Sequence, residues 1–208
     1  MEPAFERAYP GTNKATKRHI LSCALKCFDE GRFEAVTIEE IREKSGSSTG
    51  TIYHHFGSKE GLAAAIYFAA LDDQQASFKV ALLKTSSVRE ALKAWVSVYV
   101  EWIVGNPRLA RFMFESRKSI STGARKEQLK ERNEVRYGAL NKFLLIAVEA
   151  GLIRSLPAET YPSLLIGQSE NYCRAWLSGR VTTSPLEHID VFADAAWRSI
   201  AVAPGADA

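Results

Sequence analysis

Cysteine is scarce in this chain. Its 208 residues hold three, Cys23, Cys27 and Cys173, and an odd, sparse count argues against a disulfide framework and for a reducing compartment. Long apolar runs are missing too. No N-terminal stretch resembles a signal peptide, and the most apolar run, Ala63 to Leu71, stops at Asp72-Asp73, too short to span a bilayer. The expected location is the cytoplasm, with no membrane partner. A charge excess is also lacking: the formal net charge is only +3, so any nucleic-acid footprint has to be local. Enzyme signatures are absent, with no G-x-S-x-G elbow, no H-E-x-x-H, no phosphate loop and no dinucleotide fingerprint. No cofactor is expected. There is no convincing strand alternation and no internal repeat.

What is present is helical. Residues 1–13 hold Pro3, Pro10 and Gly11 without a clear period and read as a flexible arm. From Lys14 the apolar residues Ile20, Leu21, Ala24, Leu25 and Phe28 recur at three- and four-residue spacing, the stripe of an amphipathic helix, with Gly31 as its C-cap. Thr37 caps the next helix, and Glu40 stands where a capping-box partner belongs. Ser45-Gly46-Ser47 is a tight turn, a second short helix covers Ser48 to His55, and a long one starts at Ser58 and runs to about Leu83. Further helices are expected over Val88 to Val104, Pro107 to Arg117, Gly123 to Ala150, Pro157 to Leu177 and Pro185 to Val202, punctuated by proline and glycine. The fold class is all-α: an N-terminal three-helix domain over 14–60, joined by a long helix to a C-terminal bundle over 61–208.

Two brief helices joined by a Gly-containing turn form a helix-turn-helix, a shape that fits the DNA major groove. Ile38, Ile41, Ile52 and Phe56 can close a small core with the first helix. Gly46 permits the turn backbone, whereas Gly50 is costly inside a helix, which points to close approach by another group such as the DNA backbone. Thr51, Tyr53 and His55 offer donors to phosphates, and Lys59 adds a charge. Thr37 and the amides behind it suit a phosphate as well. Lys14, Lys17 and Arg18 form the one local basic cluster and can track the adjacent backbone. Taken singly, Tyr53 and Phe56 also suit packing, and His54 and His55 a solvated surface; turn, spacing, cap and lysine together favour DNA.

The segment S-x-G-T-I-Y-H-H-F-x-S-K-E-G-L, from Ser48 to Leu62, resembles the N-terminal signature of the TetR family of bacterial regulators, as does I-L-x-C-A-L-K-C-F-D-E-G-R-F-E-A-V-T-I-E-E-I upstream. The likeness covers about Thr16 to Ala64; beyond it only the helical layout is similar. It implies that Thr51, Tyr53, His55 and Lys59 hold the DNA backbone and that Ser48, Thr49 and His54 lie where base edges are reached. Thr49 departs from the family, which often has a longer polar or basic side chain there. The reading helix then contains no Arg, Lys, Asn or Gln, so bidentate pairing to guanine or adenine is closed to it. Its readout is expected to lean on hydroxyls, thymine methyls and DNA shape.

The rest of the chain is rich in aromatics. Trp95, Tyr99, Trp102, Phe112, Phe143 and Tyr172 suit a core, and a bundle lined by them also suits a small apolar or amphipathic ligand, oriented by polar candidates such as Gln168, Glu115, Asn171 and Arg174. The last two helices are amphipathic. The resemblance implies that they pair with their copies in a homodimer, and one short reading helix covers too few base pairs alone. His19, Cys23 and Cys27 share one stripe of the first helix; a metal or redox site fits that spacing, but packing is favoured. The expected function is a ligand-responsive regulator, most simply a repressor released from a double-stranded DNA operator by a small-molecule effector. An activator or architectural protein without inducer, or a helical-bundle enzyme or carrier, stays open.

Overall fold

The computed structural model describes residues 2–31 and 33–202. Among these residues ten α-helices follow in order: α1 (Pro3–Ala8), α2 (Ala15–Glu30), α3 (Ile38–Ser45), α4 (Thr49–Phe56), α5 (Lys59–Leu82), α6 (Val88–Gly105), α7 (Pro107–Thr122), α8 (Lys126–Glu149), α9 (Tyr161–Leu177) and α10 (Ile189–Ile200). Short 3-10 turns lie at Thr12–Lys14, Ala158–Thr160 and Pro185–His188. Among the described residues no strand forms; Ile153 and Ala201 make an isolated bridge. The architecture is all-α, as expected, and no described helix is long and apolar enough to cross a membrane.

The helix ends obey local chemistry. Thr37 and Glu40 form the full capping box: Glu40 N donates to Thr37 Oγ1 at 3.2 Å and Thr37 N to Glu40 Oε2 at 2.8 Å, which satisfies two orphan amides of α3. Ser48 caps α4, accepting from Thr51 N at 3.1 Å. Ser58 Oγ accepts from Gly61 N at 3.0 Å at the start of α5. Ser87 does the same for α6, accepting from Glu90 N at 3.2 Å. Gly31 ends α2 as expected, but with extended backbone at φ −133°, so its left-handed freedom is not used there.

The helices gather into two compact units. The first comprises Met1–Asp73 and Pro107–Glu131, the second Gln74–Asn106 and Arg132–Ala208. Helix α5 therefore contributes to both, its residues changing unit between Asp73 and Gln74.

In the first unit, α2 buries the stripe read from the sequence, Ile20, Leu21, Ala24, Leu25 and Phe28, with Cys23 and Cys27 alongside. Ile41, Ile52 and Phe56 close the core from α3 and α4; each such side chain contributes about 1.5–3 kcal/mol when fully buried. Helix α7 packs on α2, where Phe112 stacks on Phe28 with ring centroids 5.3 Å apart. Arg111 adds an ion pair to Asp29 at 2.8 Å.

The arm expected at residues 1–13 differs in the structure. Residues Pro3–Ala8 are helical, and Phe5 is 0% exposed. Arg7 pairs with the buried Asp73 of α5. Arg18 Nη1 donates to the carbonyls of Tyr9 and Gly11 at 2.6 and 2.7 Å. One buried aromatic and these charged hydrogen bonds outweigh the flexibility that proline and glycine suggested.

In the second unit, α6, α9 and α10 pack on one another. Leu92, Val96, Val100 and Ile103 of α6 meet an interior shared with Leu165 and Cys173 of α9 and Ala193, Ala196, Trp197 and Ile200 of α10, all buried. Phe78 stacks on Trp95 at 4.6 Å, and Lys93 pairs with Asp194 at 2.6 Å.

Candidate nucleic-acid interface

The turn between α3 and α4 is built on Gly46, at φ 61° and ψ 14°, a left-handed conformation that costs other residues about 1–2 kcal/mol. Ile52 and Phe56 face inward at 1% and 6% exposure. That anchoring fixes the outward set of α4: Thr49, Gly50, Tyr53 and His54 are exposed, and Thr51 and His55 half-buried. Of the residues expected to meet DNA, Ser48, Thr49, Gly50, Thr51, Tyr53, His54 and His55 thus share the surface of α4 and its N-terminus.

Their hydrogen bonds decide what each can still offer. Ser48 Oγ and Thr51 Oγ1 lie 2.9 Å apart, so these hydroxyls orient each other while Ser48 caps the helix. Tyr53 is 48% exposed. His54 and His55 sit with ring centroids 5.3 Å apart. Burial, followed by the neighbouring His54, Lys17 and Lys14, lowers the His55 pKa from its ordinary value. A β-carbon built at Gly50 meets nothing nearer than Ser48 Oγ at 3.8 Å. The protein's own packing therefore does not require glycine there.

Three expected contacts have other tasks in the structure. Lys59 Nζ donates to the carbonyls of Phe33, Glu34 and Val36 at 3.1, 3.2 and 2.9 Å, which uses its three protons to tie down the loop ahead of α3. The spacing of 23 to 26 residues put these partners beyond any local motif. Thr37 is engaged in the capping box, and Glu39 and Glu40 occupy the first turn of α3, giving that helix end negative charge of its own. Lys17 Nζ lies 4.3 Å from the Tyr9 ring centroid, and burial, then Lys14, lowers its pKa. We expect Lys59→Met to lower stability by about 2 kcal/mol in urea unfolding without DNA; a loss below about 0.5 kcal/mol would return Lys59 to a phosphate role.

The stripe of His19, Cys23 and Cys27 is a packing feature. His19 Nε2 lies 3.1 Å from the Ser45 carbonyl, and Cys23 Sγ donates to the Lys44 carbonyl at 3.5 Å. Burial pushes both thiols above their ordinary pKa, against the thiolate a metal needs.

Residues 20–66, spanning the α2–α4 core and the first turns of α5, match the family described as bacterial regulatory proteins, tetR family. These residues carry the TetR-family N-terminal domain. The transcriptional repressor AcnR of Corynebacterium glutamicum is 30% identical over 95 residues, 41% of this chain and 48% of AcnR, so the match spans about half that relative's length. The repressor NicS of Pseudomonas putida is 26% identical over 180 residues, 85% of this chain and 82% of NicS. The crystal structure of a TetR family regulator from Marinobacter aquaeolei VT8 superposes with a TM-score of 0.78 at 20% identity, covering 91% of this chain and 97% of that one. It shows the fold.

The residues read as pocket-lining are divided between the two units. Trp95, Tyr99 and Trp102 are buried in the second unit, and Phe143 and Tyr172 are half-buried there. Phe112 is in the first unit, against Phe28. Gln168 and Asn171 are exposed. A polar group that meets one of these aromatics, and that the sequence did not single out, is Glu170: Tyr99 Oη donates to Glu170 Oε2 at 3.2 Å, and Arg174 binds Glu170 Oε1 at 2.8 Å. Its i, i+4 spacing to Arg174 was visible; Tyr99, 71 residues away, was not.

Proposed function

We propose that the protein is a homodimeric, ligand-responsive DNA-binding regulator, acting as a repressor and not as an enzyme. The observation that carries this reading is the exposed face of α4, Thr49, Gly50, Tyr53 and His54, on a helix locked from behind by Ile52 and Phe56. Two such helices on one dimer read half-sites roughly 34–36 Å apart. Thr51, Tyr53 and His55 hold phosphates, with Lys17 flanking. Ser48, Thr49 and His54 address base edges through hydroxyl, methyl and imidazole groups.

Helices α9 and α10 are the proposed pairing surface. Leu164, Tyr172, Trp176 and Phe192 stay half-exposed on the single chain, and Val191 is 65% exposed, an apolar set that a partner copy would cover. The effector is a small apolar or amphipathic molecule held in the second unit, with the Tyr99, Glu170 and Arg174 network as its polar anchor. Release then acts through α5, whose backbone continues from one unit into the other. A coupling of about 1–3 kcal/mol changes occupancy substantially.

Gly50→Ala tests the DNA contact by two signs at once. Alanine is the better helix former by about 1 kcal/mol, and the protein leaves room for its methyl. We expect a higher melting temperature together with operator affinity lowered about tenfold, equivalent to 1.4 kcal/mol. Unchanged affinity in the stabilised variant would place the duplex elsewhere.

A further inference from the structure

A cavity of about 230 Å³ opens in the first unit, lined by residues that include Tyr9, Lys17, His55, Phe56, Phe68 and Arg125. Its volume is below the roughly 300–1,000 Å³ of sites for drug-sized ligands, so it suits something small. Its chemistry is lopsided. Lys17, His55 and Arg125 are basic, Gln128 is neutral and none of the lining residues is Asp or Glu. Several other basic side chains of the same unit are paired with carboxylates: Arg7 with Asp73, Arg42 with Glu39, Lys44 with Glu30, and Arg108 and Arg111 with Asp29.

In the cavity the Lys17 ammonium has aromatic faces instead, 4.3 Å from the Tyr9 ring centroid and 5.4 Å from that of Phe56. Burial, then Lys14, lowers the Lys17 pKa, and burial, then His54, Lys17 and Lys14, lowers that of His55, so both groups sit where positive charge is disfavoured. The remaining wall, Phe56, Ala64, Ala65 and Phe68, is apolar.

We propose that this cavity binds a small organic anion, a monocarboxylate carrying a flat apolar body. Its carboxylate is held by Lys17, His55 and Arg125, and its body rests against Phe56 and Phe68. Charge-assisted hydrogen bonds supply the anchor, and ring contacts with the apolar wall supply the rest. Because Lys17 and His55 are also assigned to DNA phosphates, an occupied cavity competes with the duplex; that consequence rests on the proposed function, whereas the binding itself does not.

The test is calorimetric titration of the full chain with benzoate, without DNA, with the His55 imidazole signals followed by NMR. We expect saturable binding that shifts His55, at least about tenfold weaker binding of neutral benzamide, and a loss of about tenfold in each of Lys17→Met and Arg125→Met. Lys26→Met, on the exposed side of α2, should match the parent, and the melting curve of each variant confirms folding. Equal binding of benzamide, full affinity in both variants, or shifts confined to the second unit would overturn the proposal. Inorganic phosphate binding more tightly than benzoate would do so too, by assigning the cavity to a DNA phosphate. A protein that binds duplex but not benzoate loses only this inference.

Discussion

Gly61→Ala is expected to cost the first unit about 3 kcal/mol, the upper end for overpacking, and to remove duplex binding with it. A β-carbon at Gly61 would lie 2.0 Å from the backbone oxygen of Phe56 and 3.2 Å from its carbonyl carbon. That oxygen cannot step aside cheaply. Phe56 is held by its buried ring, Gly57 donates to the Tyr53 carbonyl at 2.8 Å, and Leu62 on the other side is 0% exposed. Relief would have to move α4 against α5, the packing that aims the reading helix. Gly46→Ala makes the comparison: it sits in open space with φ at 61°, so only the left-handed penalty of about 1–2 kcal/mol applies. Urea unfolding should rank the two in that order, and a Gly61→Ala loss no larger than that of Gly46→Ala would refute the close-approach argument.

The second large effect belongs to the other unit. Trp197→Ala should lower its stability by about 3–5 kcal/mol. Trp197 is 2% exposed, although it lies on a helix whose Val191 is 65% exposed. The indole is therefore part of the interior that α10 shares with α6 and α9, and truncation leaves a cavity that three packed helices cannot readily close. Operator affinity should fall as well, since α10 is half of the proposed pairing surface. Chemical denaturation monitored by tryptophan fluorescence and by circular dichroism checks the first part, and a loss under about 1 kcal/mol would mean that the indole is not a core element.

Much of this was legible in the sequence because it is local. Thr37 with Glu40, Ser48, Ser58 and Gly46 each act on residues three or four positions away, so motif and structure coincide. The apolar stripe of α2 was readable for the same reason. What stayed hidden depends on distant pairing. Phe5 sits among proline and glycine, and its burial against the rest of the first unit has no periodic signal. Phe112 looked like bundle lining until residues 107–131 proved to belong with the N-terminal helices. Lys59 followed the family pattern of a phosphate contact, yet its carbonyl partners come from the loop ahead of α3. Glu170 drew no notice beside Gln168 and Asn171, because only the packing of α6 on α9 reveals which polar residue meets Tyr99.

Selection of bound duplexes from a random library addresses the central claim, that α4 of each of two copies lies in a major groove. The account predicts enrichment of a pseudo-palindrome whose half-sites are one or a few helical turns apart, with preferences carried by thymine-rich or shape-sensitive steps and weakened by Gly50→Ala. Its affinity should drop by orders of magnitude between 50 and 200 mM salt, roughly 10³-fold for six neutralised phosphates. No enriched sequence, or a single unrepeated half-site whose affinity ignores salt, would contradict it.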